Sequence, residues 1–152
     1  MSKLAIALLL AAAAWAADPA GFRIWKADQL TKSGKRLAPK IDANKLAGES
    51  LGEFGNHAAS ITHREGNGEA EVHAGMTDIF VIQSGGGTVV IGGKVAKSRT
   101  TGPGEIRGPS IDGGTKHAVA PGDILHIPAG TPHQVLVESG KETTYFVVKV
   151  AK

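Results

Sequence analysis

"GDILHIPAGTPHQV", Gly122–Val135, sets two glycines and two prolines just ahead of one histidine, His133, between apolar runs. Pro128 and Pro132 have fixed φ, and Gly130 permits a reversal that a side chain would block. "GD" turns into a strand "ILHIP", "PAGTP" reverses direction, and His133 opens "HQVLV", where Val135 and Val137 share its face. Such a corner fixes an imidazole in one place. Fixed placement matters most for a metal ligand, because metal–ligand distances tolerate only a few tenths of an ångström.

Outward from this corner the texture is that of an all-β chain. From Leu51 onward, short runs rich in Val, Ile, Thr and aromatics alternate with Gly, Pro, Asn and Asp, the pattern of a sandwich or barrel. The expected strands are "HAASITHRE", "AEVHA", "DIFVIQS", "GTVVIGG", "HAVA", "DILHIP", "HQVLVES" and "TTYFVVKV". The run "SRTTGPGEIRGPSIDGG", 98–114, has no strand alternation and is expected to be a surface lid or binding loop.

Upstream, residues 1–16 read as a secretory signal peptide: Lys3, the apolar run "LAIALLLAAAA", then Ala14-Trp15-Ala16 as a small-x-small cleavage site. An uncleaved N-terminal anchor is the alternative. Residues 17–50 are expected to form a short N-terminal helix and a linker. Asp28 would cap the helix, Pro39 would stop it, and "DANKLAGES" would be the linker. Trp25 and Phe22 would pack this segment onto a β-domain spanning 51–152. The chain has no cysteine, so even outside the cytosol its stability must come from packing and any bound ion. Its formal charge is +3, without a basic block or interleaved aromatics, so nucleic-acid binding is not supported. No further apolar run is long enough to span a bilayer once the leader is removed. "GGKV" and "SGGGT" lack the spacing of phosphate and dinucleotide loops, and no Gly-x-Ser-x-Gly elbow occurs.

A second stretch carries chemistry: "EAEVHAGMTDIFVIQSG", 69–85. Glu71 and His73, two apart in a strand, point the same way, and Asp78 opens the next strand after the turn "AGMT", which reads as a hairpin. Buried carboxylates and imidazoles need partners, and a divalent cation satisfies all of them together.

Gly122, Pro128, Gly130 and His133 match the second cupin motif position for position, and Glu71, His73, Asp78 and Gly85 keep the spacing of the first. The chain thus resembles the cupin superfamily over about the last two-thirds of the expected mature chain. Glu71 stands where the motif has its first His, Asp78 where it has Glu, and Val137 where an Asn often closes the second motif. The resemblance implies a double-stranded β-helix, or jelly-roll barrel. It also implies a metal held by Glu71, His73, Asp78 and His133. Two imidazoles with two carboxylates suit manganese, iron or zinc. Asp78, one methylene shorter than Glu, would reach the ion directly or through water. A cupin that has lost its metal would keep His73 and His133 as structural residues instead.

The remaining candidates are secondary. His63 and His126 would line the cavity or be satisfied core histidines, while His57 and His117 read as surface or strand-edge residues. Glu105 and Arg107 in "GEIRG" would form either a substrate-binding pair over the cavity or a solvated ion pair. The expectation is a secreted or periplasmic metal-binding cupin acting on a small molecule by oxygenase, decarboxylase, isomerase or lyase chemistry. The alternatives are a non-catalytic binder of a sugar or anion, and a structural barrel. Its sheet edges could pair in a homodimer.

Overall fold

The computed structural model describes residues 17–152; the leader expected over residues 1–16 lies outside the described residues. Two five-residue helices, α1 (Ala27–Thr31) and α2 (Ser33–Leu37), lead through a 3-10 turn at Ala38–Lys40 into thirteen strands. These are β1 (Leu46–Glu53), β2 (His57–Arg64), β3 (Ala70–His73), β4 (Met76–Gly85), β5 (Gly87–Ile91), β6 (Lys94–Ala96) and β7 (Arg99–Gly102). They continue as β8 (Glu105–Gly108), β9 (Ser110–Asp112), β10 (Thr115–Val119), β11 (Ile124–Ile127), β12 (His133–Leu136) and β13 (Thr143–Ala151).

The strands form a five-stranded sheet, β1-β2-β13-β4-β11, facing a six-stranded sheet, β10-β5-β12-β3-β8-β7, with β6-β9 as a separate ribbon. Alternation assigns side chains to the interior. Asp78, Phe80 and Ile82 of β4 are buried on one face, as are Tyr145 and Val147 of β13. Phe80, Ile82, Val89, Ile127, Val135, Val137, Tyr145 and Val147 form the core between the sheets. A second apolar layer, Leu37, Ala47 and Ile61 with Phe146, covers the outer face of the five-stranded sheet beneath the helices. Burying both faces lets a chain of this size dispense with disulfides.

Several expectations change. The 98–114 run is no lid: it holds β7, β8 and β9, with β8 laddered onto β3 and a bulge between Thr100 and Gly102 in β7. The linker contains the start of β1, which begins at Leu46 rather than Leu51. The single helix is two: Lys26 is the N-cap of α1, while Asp28 sits in its first turn and pairs with Lys32 at 3.2 Å. Pro39 falls in the 3-10 turn that ends the helical segment. Trp25 packs on Phe54 and Phe146, but Phe22 is half exposed and anchors nothing.

The "AGMT" turn does not close a hairpin. β3 belongs to the six-stranded sheet and β4 to the five-stranded one, so Ala74-Gly75 carries the chain across the barrel. The proline corner does the same between β11 and β12. These two crossings bring residues from opposite sheets to one end of the interior.

Candidate metal centre

Glu71 and His73 project inward from β3, and His133 at the start of β12 lies directly opposite Glu71 in the ladder. The corner before His133 is tied to the same strand: Gly130 N–H donates to the His73 carbonyl at 2.8 Å, and Thr131 N–H to the Pro128 carbonyl at 3.1 Å. Gly130 has φ +80°, a left-handed conformation that a side chain would strain.

Each imidazole is oriented through Nδ1. His133 Nδ1–H donates to the Thr131 carbonyl at 3.0 Å, which leaves Nε2 as the lone-pair nitrogen. His73 Nδ1 meets the Glu105 carboxylate at 2.6 Å, so in the neutral ring its Nε2 is likewise the lone-pair nitrogen. The two Nε2 atoms face Glu71 and Asp78. Glu71 Oε2 lies 3.2 Å from His73 Nε2 and 3.8 Å from His133 Nε2. Asp78 Oδ2 lies 3.5 Å and 3.3 Å from the same nitrogens. Adjacent ligands at about 2.1 Å from a tetrahedral ion stand about 3.4 Å apart, so a cation fits between donors at these spacings.

A second observation agrees. His133 Nε2 is buried and makes no hydrogen bond, although Asp78 Oδ2 is 3.3 Å away: with the ring proton on Nδ1, a lone pair there meets a carboxylate oxygen. A buried imidazole lone pair aimed at two carboxylates fits a cation. The donor atoms of Glu71, His73 and His133 all lie within 4.8 Å of one another. Asp78 stands beside this set and is occupied differently: Lys149 Nζ donates to both its oxygens, at 2.8 and 3.0 Å, and lies 2.9 Å from His73 Nε2.

Burial pushes the Glu71 carboxyl upward, but the His73 hydrogen bond and the Arg107 charge outweigh it and bring the group down to about 2. Asp78 is also lowered: burial opposes ionisation, and His133 and Lys149 prevail. Burial disfavours the charged form of His73, yet the Glu71 hydrogen bond raises it, with Asp78 and Glu105 adding to the rise and Lys149 opposing it.

Glu105 and Arg107 lie on β8 directly opposite His73 and Glu71. Glu105 holds the His73 ring, and Arg107 pairs with Glu71. Both therefore contact the candidate ligands. His63 does not join them: it lies on the face of β2 that packs beneath the helices, fully buried, bonded to Thr144 Oγ1 at 2.9 Å and Glu65 at 3.2 Å. His63, Glu65 and Glu142 also cluster, beside a groove of about 910 Å³. Lys45 and Lys141 line that groove and oppose a further cation. His126 is exposed on the outer side of β11 with Ile124, so it neither lines the cavity nor joins the core. His57 stacks on Phe54 at the surface, and His117 is exposed on β10 at the edge of its sheet.

Lys149 and Arg64 escaped the sequence reading. In "TTYFVVKV", Lys149 shares the inward parity of Tyr145 and Val147; in "SITHR", Arg64 shares that of Ser60 and Thr62. Arg64 Nε donates to the Tyr145 hydroxyl at 3.0 Å, and its Nη2 lies 3.9 Å from Glu71. A cavity of about 160 Å³ opens beside the donors, with Ser60, Thr62, Arg64, Tyr145 and Lys149 among its walls.

No family model matches the sequence, and no curated protein matches it. Solved structures do. A double-stranded β-helix domain protein from Klebsiella pneumoniae superposes with TM-score 0.57 at 14% identity, over 86% of this chain and 90% of that one. A cupin-2 domain from Rhodospirillum rubrum gives 0.53 at 16%, over 72% and 62%. An oxalate oxidase in complex with glycolate gives 0.52 at 16%, over 72% and 53%. The chain has the cupin double-stranded β-helix fold.

Proposed function

We propose that this cupin holds a divalent cation between Glu71, His73, His133 and Asp78 and presents it to a small, oxygen-bearing molecule. The observation that carries the reading is the Nε2 lone pair of His133, buried without a hydrogen bond and within 4 Å of both carboxylates. Two imidazoles and two carboxylates suit manganese, iron or zinc. A bound ion of this kind polarises a carbonyl or activates water or dioxygen. The residues around it would do the rest. Glu105 and the Thr131 carbonyl hold the rings, Arg107 keeps Glu71 ionised and in place, and Arg64 and Lys149 bring positive charge to the cavity wall. Glu71, at about 2, is too weak a base for proton abstraction near neutral pH, so its role is that of a ligand.

The cavity's size and its Arg64 and Lys149 suit a small carboxylate, and the oxalate oxidase of the same fold binds glycolate. These features also support the second reading, a non-catalytic anion-binding cupin. The leader pattern of residues 1–16 supports export to the periplasm or beyond.

The test is metal content by elemental analysis of protein purified without chelator, with Mn²⁺, Fe²⁺ and Zn²⁺ titrations of wild type and His133→Ala. Binding near one equivalent, lost at least a hundredfold in His133→Ala, is the expected result. Equal binding by both proteins would remove the assignment. A turnover screen on the loaded protein with small carboxylates then separates enzyme from binder.

A further inference from the structure

We infer that Lys149 is the site's resident cation, and that its ammonium and a divalent metal compete for the same two ligands, Asp78 and His73. This rests on the metal-centre reading above and adds to it the mode of metal entry.

The placement comes from the sheet. Lys149 of β13 pairs in register with Asp78 of β4, and both point inward. The ammonium carries three protons. Two of its hydrogen bonds go to Asp78 Oδ1 and Oδ2, and the third direction meets His73 Nε2 at 2.9 Å. The His73 lone pair that would bind a metal is the one this ammonium engages, and a lone pair cannot serve both. The Asp78 oxygens have further lone pairs, so there the conflict is between two cations crowded against one carboxylate.

Burial explains why a cation is needed at all. Asp78 is 1% exposed, and a buried carboxylate without a compensating charge strongly destabilises a fold. Lys149 supplies that charge from within the chain, so the barrel can close before any metal arrives. Its side chain is partly exposed along the cavity that Arg64 also lines, which leaves room for the ammonium to withdraw. After exchange, Lys149 and Arg64 would both face that cavity, and the ligand it suits carries negative charge.

The experiment is isothermal titration of the full-length mature protein with Mn²⁺ and with Zn²⁺ at one fixed pH, comparing wild type with Lys149→Met. The variant is expected to bind at least tenfold more tightly. Its metal-free form should melt below wild type, and metal should restore the difference. Lys149→Gln, which keeps a hydrogen-bond donor for Asp78 without the charge, should move in the same direction and replaces Lys149→Met if that variant does not fold. Equal or weaker binding in the folded variants overturns the exchange and leaves the metal centre standing. An absence of binding in wild type and variants alike overturns both.

Discussion

Glu71 and His133 occupy directly opposed positions on β3 and β12, so that one ladder pair supplies both a carboxylate and an imidazole to the same point. Glu71→Gln keeps the shape and removes the charge. Metal affinity is expected to fall at least tenfold while the circular dichroism spectrum stays unchanged. A change under twofold by calorimetry would show that Glu71 does not coordinate.

Two glycines of the motifs should differ in cost. Gly130 has φ +80° with open space around it, so Gly130→Ala carries only backbone strain, about 1–2 kcal/mol. Gly85 has φ +72°, and a methyl there would land on the Glu142 carbonyl, so Gly85→Ala must also shift the backbone and costs more. Urea denaturation should rank the two in that order. The reverse order would contradict the packing at the end of β4.

Stability of the metal-free protein should fall in acid. The folded Glu71 sits at about 2 against an ordinary 4.5, so its contribution is complete above about 4.5 and is lost as pH falls toward 2. Its ceiling is about 3 kcal/mol. Asp78 acts in the same direction. His73, raised, contributes the opposite slope: its share is full below its unfolded value and declines as pH rises through the folded one. Denaturation at pH 3, 4.5 and 6 should show a shallower acid limb in Glu71→Gln than in wild type; identical limbs would refute this account.

Metal should stabilise the fold by mass action. At a free concentration one hundred times Kd the gain is about 2.7 kcal/mol, and excess chelator should abolish it. A melting temperature indifferent to both metal and chelator would count against the centre.

Much of this was visible in the residues, and the failures have physical causes. Eight strands could be read because Val, Ile and aromatics alternate in them. β1 and β6–β9 escaped because they are short or rich in Gly, Ser, Thr and charge, so that pairing with β2, with β3 and with one another, not propensity, makes the strand. His63 could not be placed because both faces of β2 are covered, so parity does not tell inside from outside. The motif spacing assembled Glu71, His73, Asp78 and His133 without any knowledge of strand pairing, but it could not see that the short "AGMT" turn crosses between sheets. Lys149 was missed because charge suggests solvent, even where alternation points inward.

That crossing has a mechanical side. Glu71, His73 and His133 hang from one sheet, while Asp78 and Lys149 hang from the other. An ion gripped by both sets is a rivet through the seam of the sandwich, in a protein that has no sulfur bridge to do that job. Ion supply would then tune how tightly the two halves breathe, and amide exchange along β3 and β4 would register it.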